Sequence, residues 1–338
     1  MQPTNQPIDQ SKKRIGYIDA LRGFTMILVV CVHCLIFSNI KQNPISDFFS
    51  LFRMPLFFFI SGFILYKKEQ IWDFSTTKNF ISKKFLVQII PTVIFLLIYM
   101  FCFNVNNIPA HYNGYWFTIA LFEFFMAYCL VNFTFRKQSI SNVILMIYAI
   151  ITYLLQNAYW VGNYPNFNRF IAFPFGFFIF FLVGIWAKKY SDYILRIFNS
   201  DKIMMTVIAI MIVGSIFFIK GYFVHLEVKL LLSILGIFSI FYFFMKNGEY
   251  MDNSRIGKAL QFIGRRTLDI YLLHYFFVSN SMSWVNDAGI TSPTIVFCIS
   301  ITTSILIIGI CLLISKFLRT NELLGKILFG AKPSTNKN

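Results

Sequence analysis

The sequence predicts an all-α fold, a polytopic membrane helical bundle with about ten transmembrane helices and both termini in the cytoplasm. Hydrophobic residues make up 57% of the 338-residue chain, charged residues only 13%, and the mean hydropathy is +0.65. Soluble domains carry about 25% charged residues, so this composition excludes a soluble, a disordered or a secreted disulfide-rich protein. The chain also lacks the roughly ten-residue alternation of membrane barrels, and its backbone must therefore be satisfied within helices.

Ten apolar stretches approach the roughly 20 residues that cross a bilayer as a helix. They cover residues 16–38, 47–66, 85–103, 115–134, 140–157, 170–187, 203–220, 229–245, 267–283 and 294–316. These stretches leave no room for a separate soluble domain. We therefore expect a cytoplasmic N-terminal tail over 1–15, a transmembrane domain over 16–318 and a cytoplasmic C-terminal tail over 319–338.

The basic residues support this count independently. With the N-terminus inside, 24 of the 30 Lys and Arg fall in cytoplasmic segments, 4 fall outside and 2 lie within spans. This asymmetry is the positive-inside pattern, which a miscounted helix would spoil downstream. Because the basic residues cluster between apolar spans, the net charge of +16 does not indicate nucleic-acid binding.

The six cysteines all lie in apolar stretches, so no disulfide framework is predicted. Cys31-Val-His-Cys34 superficially resembles a metal motif but lacks a second ligand pair, and we predict no metal. Asp19 and Arg22 interrupt the first apolar run, which argues against a cleavable signal peptide.

Charged or titratable side chains inside spans are the candidate functional residues, because each charge at depth costs at least about 2.5 kcal/mol. They are Asp19, Arg22, His33, Arg53, Glu123, Asp269 and His274.

In the first span, Asp19 and Arg22 are one helical turn apart and can pair. Arg22 and His33 are eleven residues apart, which puts them on one face about 16 Å apart along the axis. Arg22 is therefore predicted near the cytoplasmic mouth and His33 on the outer side of the midplane. The alternative is that Arg22 only reaches the headgroups and His33 only caps a carbonyl.

The second, fourth and ninth spans add further candidates. Pro55 predicts a kink and a freed carbonyl, with Arg53 at about the depth of His33, while Ser61-Gly62 favours close helix approach. Glu123 lies near the middle of the fourth span and Trp116 at its outer end. In the ninth span Thr267, Tyr271 and His274 share one face, although a single histidine there is more often structural.

Five motifs in order resemble the acyltransferase-3 family over residues 15–318, nearly the whole chain. They are Tyr17-Ile-Asp-Ala-Leu-Arg-Gly with His33, Met54-Pro-Leu-Phe-Phe-Phe-Ile-Ser-Gly-Phe, Trp116-Phe, Phe173-Pro-Phe-Gly-Phe-Phe with Gly184, and Ile263-Gly followed by Thr-Leu-Asp-Ile-Tyr-Leu-Leu-His. The resemblance implies a multi-pass O-acyltransferase of the bacterial inner (plasma) membrane that modifies cell-surface polysaccharides, here without an appended hydrolase-like domain.

The resemblance further implies that Arg22 and His33 are essential, with His33 as catalytic base and acyl-coenzyme A, here acetyl-CoA, as donor. Arg53 departs from the family pattern, in which histidine is frequent at that place. The implied partners are acyl-coenzyme A, a sugar or polysaccharide acceptor and the lipid bilayer, with no nucleic acid and with homo-oligomerisation left open.

The residue chemistry is compatible with that reaction. Arg22 would grip coenzyme phosphates, and Asp19, Ser61 and Trp116 complete the predicted donor-binding set. His33 would deprotonate a sugar hydroxyl. Arg53 or Trp116 would stabilise the oxyanion, and Glu123 or His274 would orient the base.

A polyprenyl-linked sugar flippase or polysaccharide exporter is the main alternative. Such a protein should show inverted repeats or paired broken helices, and none stands out in the sequence. Neither the sugar acceptor, the choice of acetyl over succinyl, nor the existence of an acyl-enzyme can be predicted from these residues.

Overall fold

The computed structural model describes residues 15–38, 43–68, 70–104, 108–161, 175–222, 225–278 and 281–330. Within these ranges the chain is helical and contains no strand, which confirms the all-α prediction. The helices are α1 Gly16–Phe37, α2 Pro44–Ser50, α3 Arg53–Leu65, α4 Phe74–Lys84, α5 Ile90–Cys102, α6 Ile108–Thr134, α7 Gln138–Val161, α8 Phe178–Lys189, α9 Ser191–Phe198, α10 Asp201–Ile219, α11 Leu226–Lys246, α12 Gly248–Asn253, α13 Arg255–Arg265, α14 Thr267–Val278, α15 Ser283–Asp287, α16 Pro293–Leu318 and α17 Glu322–Phe329.

In the described part of the chain, eight helical segments are long and apolar enough to cross a membrane, so the chain is a multi-pass membrane protein. They are Gly16–Phe37, Pro44–Leu65, Phe74–Cys102, Gly114–Thr134, Gln138–Gln156, Asp201–Ile219, Leu226–Lys246 and Pro293–Leu318.

Two of the ten predicted spans, 170–187 and 267–283, coincide with shorter helices. These are α8 and α14, each of 12 residues. At 1.5 Å per residue, 12 residues rise about 18 Å, less than the roughly 30 Å of a hydrocarbon core. Residues 170–174 and 279–280 of those predicted spans lie outside the described ranges. The cytoplasmic placement of both termini stays a prediction.

Helix α1 is the centre of the bundle. It packs against α2, α3, α11, α12, α13, α14 and α16, and Ala20, Leu21, Met26 and Val30 are completely buried. Because protein surrounds α1, its polar side chains face other helices rather than lipid.

Glycines bring two helix pairs into backbone contact. A Cβ added at Gly62 would lie 2.0 Å from the carbonyl oxygen of Phe181, and one at Gly184 would lie 2.0 Å from that of Phe59. This confirms the close approach predicted at Ser61-Gly62. Gly23 and Gly264 join α1 and α13 in the same way, and an added Cβ at Gly23 would lie 2.0 Å from the carbonyl of Leu260.

A kink was predicted at Pro55, and the structure instead has a break between helices α2 and α3 shortly before this residue. The chain turns at Leu51 and Phe52, and α3 begins at Arg53, so Pro55 lies in the first turn, where its missing N–H is tolerated. Ser233 donates a hydrogen bond of 2.6 Å to the carbonyl of Leu51. The break therefore places Arg53 at a helix start.

The third membrane span begins about eleven residues earlier than predicted. Helix α4 continues into α5 through one π-helical turn, Phe85–Ile89. Pro91 follows this turn, and the π-turn relieves the clash of a proline ring with the carbonyl four residues earlier. Lys84, predicted in a cytoplasmic loop, is thus part of a continuous helical span.

Asp269 is held by residues near the C-terminus. Arg319 binds both of its carboxylate oxygens, at 2.8 and 2.9 Å, Ser315 donates to it, and Arg266 lies 3.6 Å away. Residues 319–330, assigned to the C-terminal tail, include α17, whose Phe329 is buried. Asp269 therefore has a structural ion-pair role that its position in the sequence did not reveal.

Candidate active site

A cavity of about 240 Å³ opens between α1, α3, α6, α14 and the segment around the π-turn. Its lining combines cationic and polar groups with aromatic and aliphatic walls. The lining residues are Arg22, Phe57, Ser61, Lys84, Val87, Gln88, Phe117, Thr118, Leu121, Thr267, Leu268 and Tyr271. Two of the predicted donor-binding residues, Arg22 and Ser61, thus line one cavity.

Arg22 is fixed by polar neighbours. Its Nη2 donates a 2.8 Å hydrogen bond to Thr267 Oγ1, and its Nη1 lies 3.9 Å from the Asp19 carboxylate. The side chain is 31% exposed, so part of the guanidinium stays open to the cavity. Asp19 accompanies Arg22 as predicted but does not itself line the cavity.

Lys84 is a second cation in this cavity, and it interacts electrostatically with Arg22. Sequence reasoning missed it, because the pair Lys83-Lys84 before an apolar run is typical of a loop at the membrane surface. Helical continuity through residue 84 was the missing signal. With Arg22 and Lys84 set against Asp19, the cavity carries a net positive charge, which suits an anionic ligand.

Polar groups of α1 and α14 meet in the same order along the two helices. Arg22 contacts Thr267 near their N-terminal ends, and His33 contacts His274 farther along, with ring centroids 5.4 Å apart. Tyr271 lies between, since it lines the cavity and its ring is 5.9 Å from that of His274. Tyr271 thus lies next to both the cavity and the histidine pair.

His274 is completely buried. Its Nδ1 lies 2.8 Å from the carbonyl oxygen of Tyr271 and 3.1 Å from that of Ile270. Carbonyls only accept hydrogen bonds, so Nδ1 carries the proton and Nε2 holds a free lone pair. Nε2 is buried and has no hydrogen-bond partner in the described structure. His33, by contrast, is partly exposed.

Tyrosines surround the two imidazoles. The Tyr275 ring lies 6.0 Å from both His33 and His274. The Tyr115 hydroxyl donates to the carbonyl of Leu272 at 3.0 Å. The first contact packs Tyr275 against both histidines, and the second holds α6 against α14. Tyr275 was not singled out in the sequence, because one more aromatic residue in so aromatic a chain carries no signal.

Arg53 interacts electrostatically with His33. Trp116, the other predicted oxyanion donor, stacks on Phe177 at 5.6 Å and is not among the residues lining the cavity. Of these two candidates, Arg53 is the one that the structure places beside the predicted base.

Glu123 is directed elsewhere. It is close enough to Tyr148 on α7 to interact with it electrostatically, and no contact joins it to either histidine within the described ranges. Of the two predicted orienting residues, the structure therefore brings only His274 to His33. Among the described residues, no cluster of three or more His, Cys, Asp or Glu could hold a metal ion.

Comparison with known proteins identifies the chain at the level of its family. No curated protein and no solved structure matches it. The model of the acyltransferase-3 family, described as an acyltransferase domain, matches residues 15–314. This match covers most of the chain, and the chain belongs to the acyltransferase-3 family of membrane acyltransferases.

Proposed function

We propose that the protein is an O-acyltransferase of the bacterial cell membrane that moves an acetyl group from cytoplasmic acetyl-CoA to a hydroxyl of a cell-surface polysaccharide or lipid-linked sugar. The observation that carries this proposal is the arrangement along α1 and α14. A cationic cavity lies at the end of the two helices where Arg22 meets Thr267, and a pair of neighbouring histidines lies farther along them, with Tyr271 next to both.

The cavity supports the donor half of the proposal. Arg22 and Lys84 together offer a planar guanidinium and an ammonium to phosphate oxygens. The rise from Arg22 to His33 is about 16 Å, so phosphates at Arg22 would leave the thioester to extend along α1. Ser61 also lines the cavity but donates its hydroxyl proton to the carbonyl of Phe57.

His33 acts as the general base in this proposal. Its imidazole takes the proton of the acceptor hydroxyl while that oxygen forms a C–O bond to the thioester carbonyl carbon. The C–S bond then breaks, and the coenzyme thiolate takes the proton from His33. Proton transfer of this kind contributes typically 10²- to 10⁴-fold to the rate.

His274 is proposed as a positioning residue. Because its Nδ1 proton is committed to backbone carbonyls, its Nε2 can only accept a hydrogen bond. An N–H of His33 turned toward it would fix the His33 tautomer and leave the opposite nitrogen free as the base. The same contact would stabilise the imidazolium formed during transfer, as the third member of a catalytic triad does.

Transfer of label from radiolabelled acetyl-CoA tests this function. The purified protein is reconstituted in lipid with envelope glycans as acceptor, and we expect label in the glycan and release of one coenzyme thiol per acetyl group. Mass spectrometry of the glycans of a deletion strain would identify the acceptor. Movement of substrate across the bilayer without acetyl-CoA would support an exporter instead.

A further inference from the structure

Arg53 is a largely buried cation with unsatisfied hydrogen-bond donors. Its Nε and Nη1 atoms are buried and find no hydrogen-bond partner among the described residues. The residue as a whole is partly exposed, so its side chain is not completely enclosed by protein. Its electrostatic neighbours are Cys31 and His33, which places it beside the predicted base.

Among the residues that the structure describes, no carboxylate forms an ion pair with Arg53. The ion pairs of the described residues use Asp19, Asp201 and Asp269, and none of them involves Arg53. Outside the described ranges the sequence contains only two acidic residues, Asp9 and Glu69. Both belong to segments predicted on the cytoplasmic side, opposite to Arg53.

An arginine side chain cannot become neutral by losing its proton, so Arg53 stays charged. A buried charge without a partner is costly, whereas a paired one is tolerated. Arg53 is also the first residue of α3, whose N-cap, Phe52, contributes no side-chain hydrogen bond. The partial positive charge of that helix end has the same sign as the guanidinium. The location therefore favours an anion.

This anion site is separate from the donor cavity. Ser61, which lines that cavity, is eight residues farther along α3, a rise of about 12 Å. Arg53 is not among the cavity residues. An anion at Arg53 would thus belong to the acceptor, which in this proposal reaches His33 from the side away from the donor cavity.

Resting on the acyl transfer proposed above, we propose that Arg53 binds an anionic group of the acceptor, a sugar carboxylate or phosphate, and so selects acidic sugars. The ion pair would hold the acceptor with a hydroxyl next to His33. An oxyanion of the reaction is a different ligand, because it exists only during transfer and would leave Arg53 unpaired in the substrate complex. Kinetics distinguishes the two roles. Loss of a contact to the bound acceptor raises KM, whereas loss of a contact made only to the oxyanion lowers kcat.

The test compares acetylation of three acceptors by the purified, lipid-reconstituted protein. They are a uronic-acid oligosaccharide, a lipid-linked sugar phosphate, and a neutral oligosaccharide of equal length. The wild-type protein should favour one of the acidic acceptors over the neutral one, and that arm identifies carboxylate or phosphate as the group bound. Arg53→Gln should reduce this preference at least tenfold through KM, and Arg53→Lys should restore part of it. Arg136→Gln, at an exposed arginine, is the matched control, and thermal melting verifies that each variant folds.

Three results would overturn the proposal. They are a wild-type enzyme without preference for acidic acceptors, an equal loss of kcat on all acceptors in Arg53→Gln, and weaker acetyl-CoA binding in that variant. Direct binding of the two acidic acceptors separates this inference from the proposed function. Tenfold weaker binding in Arg53→Gln without any acetyl transfer would retain the anion site and reject acyl transfer, whereas unchanged binding would reject the anion site.

Discussion

The imidazole rings of His33 on α1 and His274 on α14 lie 5.4 Å apart, measured between their centroids. His274 is tied to its own helix through Nδ1, while its buried Nε2 has no hydrogen-bond partner among the described residues. This asymmetry gives the two histidines different proposed roles, with His33 as the base and His274 as its support.

Replacing His274 should slow transfer without abolishing it. In His274→Ala the His33 ring loses its proposed acceptor, so we expect a fall in kcat of about ten- to a hundredfold, below the full range of a general base. The pH dependence of kcat should also shift, because the imidazolium of His33 would lose its support. An unchanged pH profile together with a lower melting temperature would mean that His274 only packs.

The cationic cavity should bind the donor. Arg22→Ala should weaken acetyl-CoA binding strongly in calorimetry, and Arg22→Lys should recover only part of it because Lys lacks the planar fork. Lys84→Gln should weaken binding severalfold, since a charge-assisted contact to phosphate is lost. Lys83→Gln is the matched control, as Lys83 is exposed and does not line the cavity. Equal affinities in all variants would place the donor elsewhere.

The Gly62 crossing should be a stability determinant. A Cβ at Gly62 would lie 2.0 Å from the backbone carbonyl of Phe181, so Gly62→Ala must separate α3 from α8. Overpacking of this kind costs typically about 1–3 kcal/mol, and the melting temperature in detergent should fall. Gly309→Ala should be neutral, because an added Cβ there meets nothing within 4 Å. Similar melting temperatures for the two variants would refute the close crossing.

The predicted topology rests on the distribution of basic residues and can be tested with reporter fusions. Fusions after residues 41, 111, 165, 225 and 287 should report outside, and those after 75, 137, 195, 252 and 330 should report inside. Because each crossing reverses the side, two adjacent fusions on the unexpected side would show that the number of spans is wrong.

The fold class could be predicted from sequence because apolar length and basic-residue asymmetry are local signals. The shared face of Arg22 and His33 followed from helical geometry, and the structure places Thr267 and His274 beside them. The partner of Asp269 could not be predicted, since Arg319 is 50 residues away and nothing in the spacing joins the two. Similarly, Lys84 lies in a helix that continues into the next membrane-spanning segment, a continuity that two lysines before an apolar run do not indicate.

The central claim is that His33 is the base, and one comparison tests it most directly. Acetyl transfer and acetyl-CoA binding are measured side by side for the wild-type protein and His33→Ala. We predict a rate below a hundredth of the wild-type value with donor affinity unchanged, as expected when a general base is removed. A rate above about a tenth of wild type would show that the base lies elsewhere. Loss of both acetyl transfer and acetyl-CoA binding would show that His33 is structural.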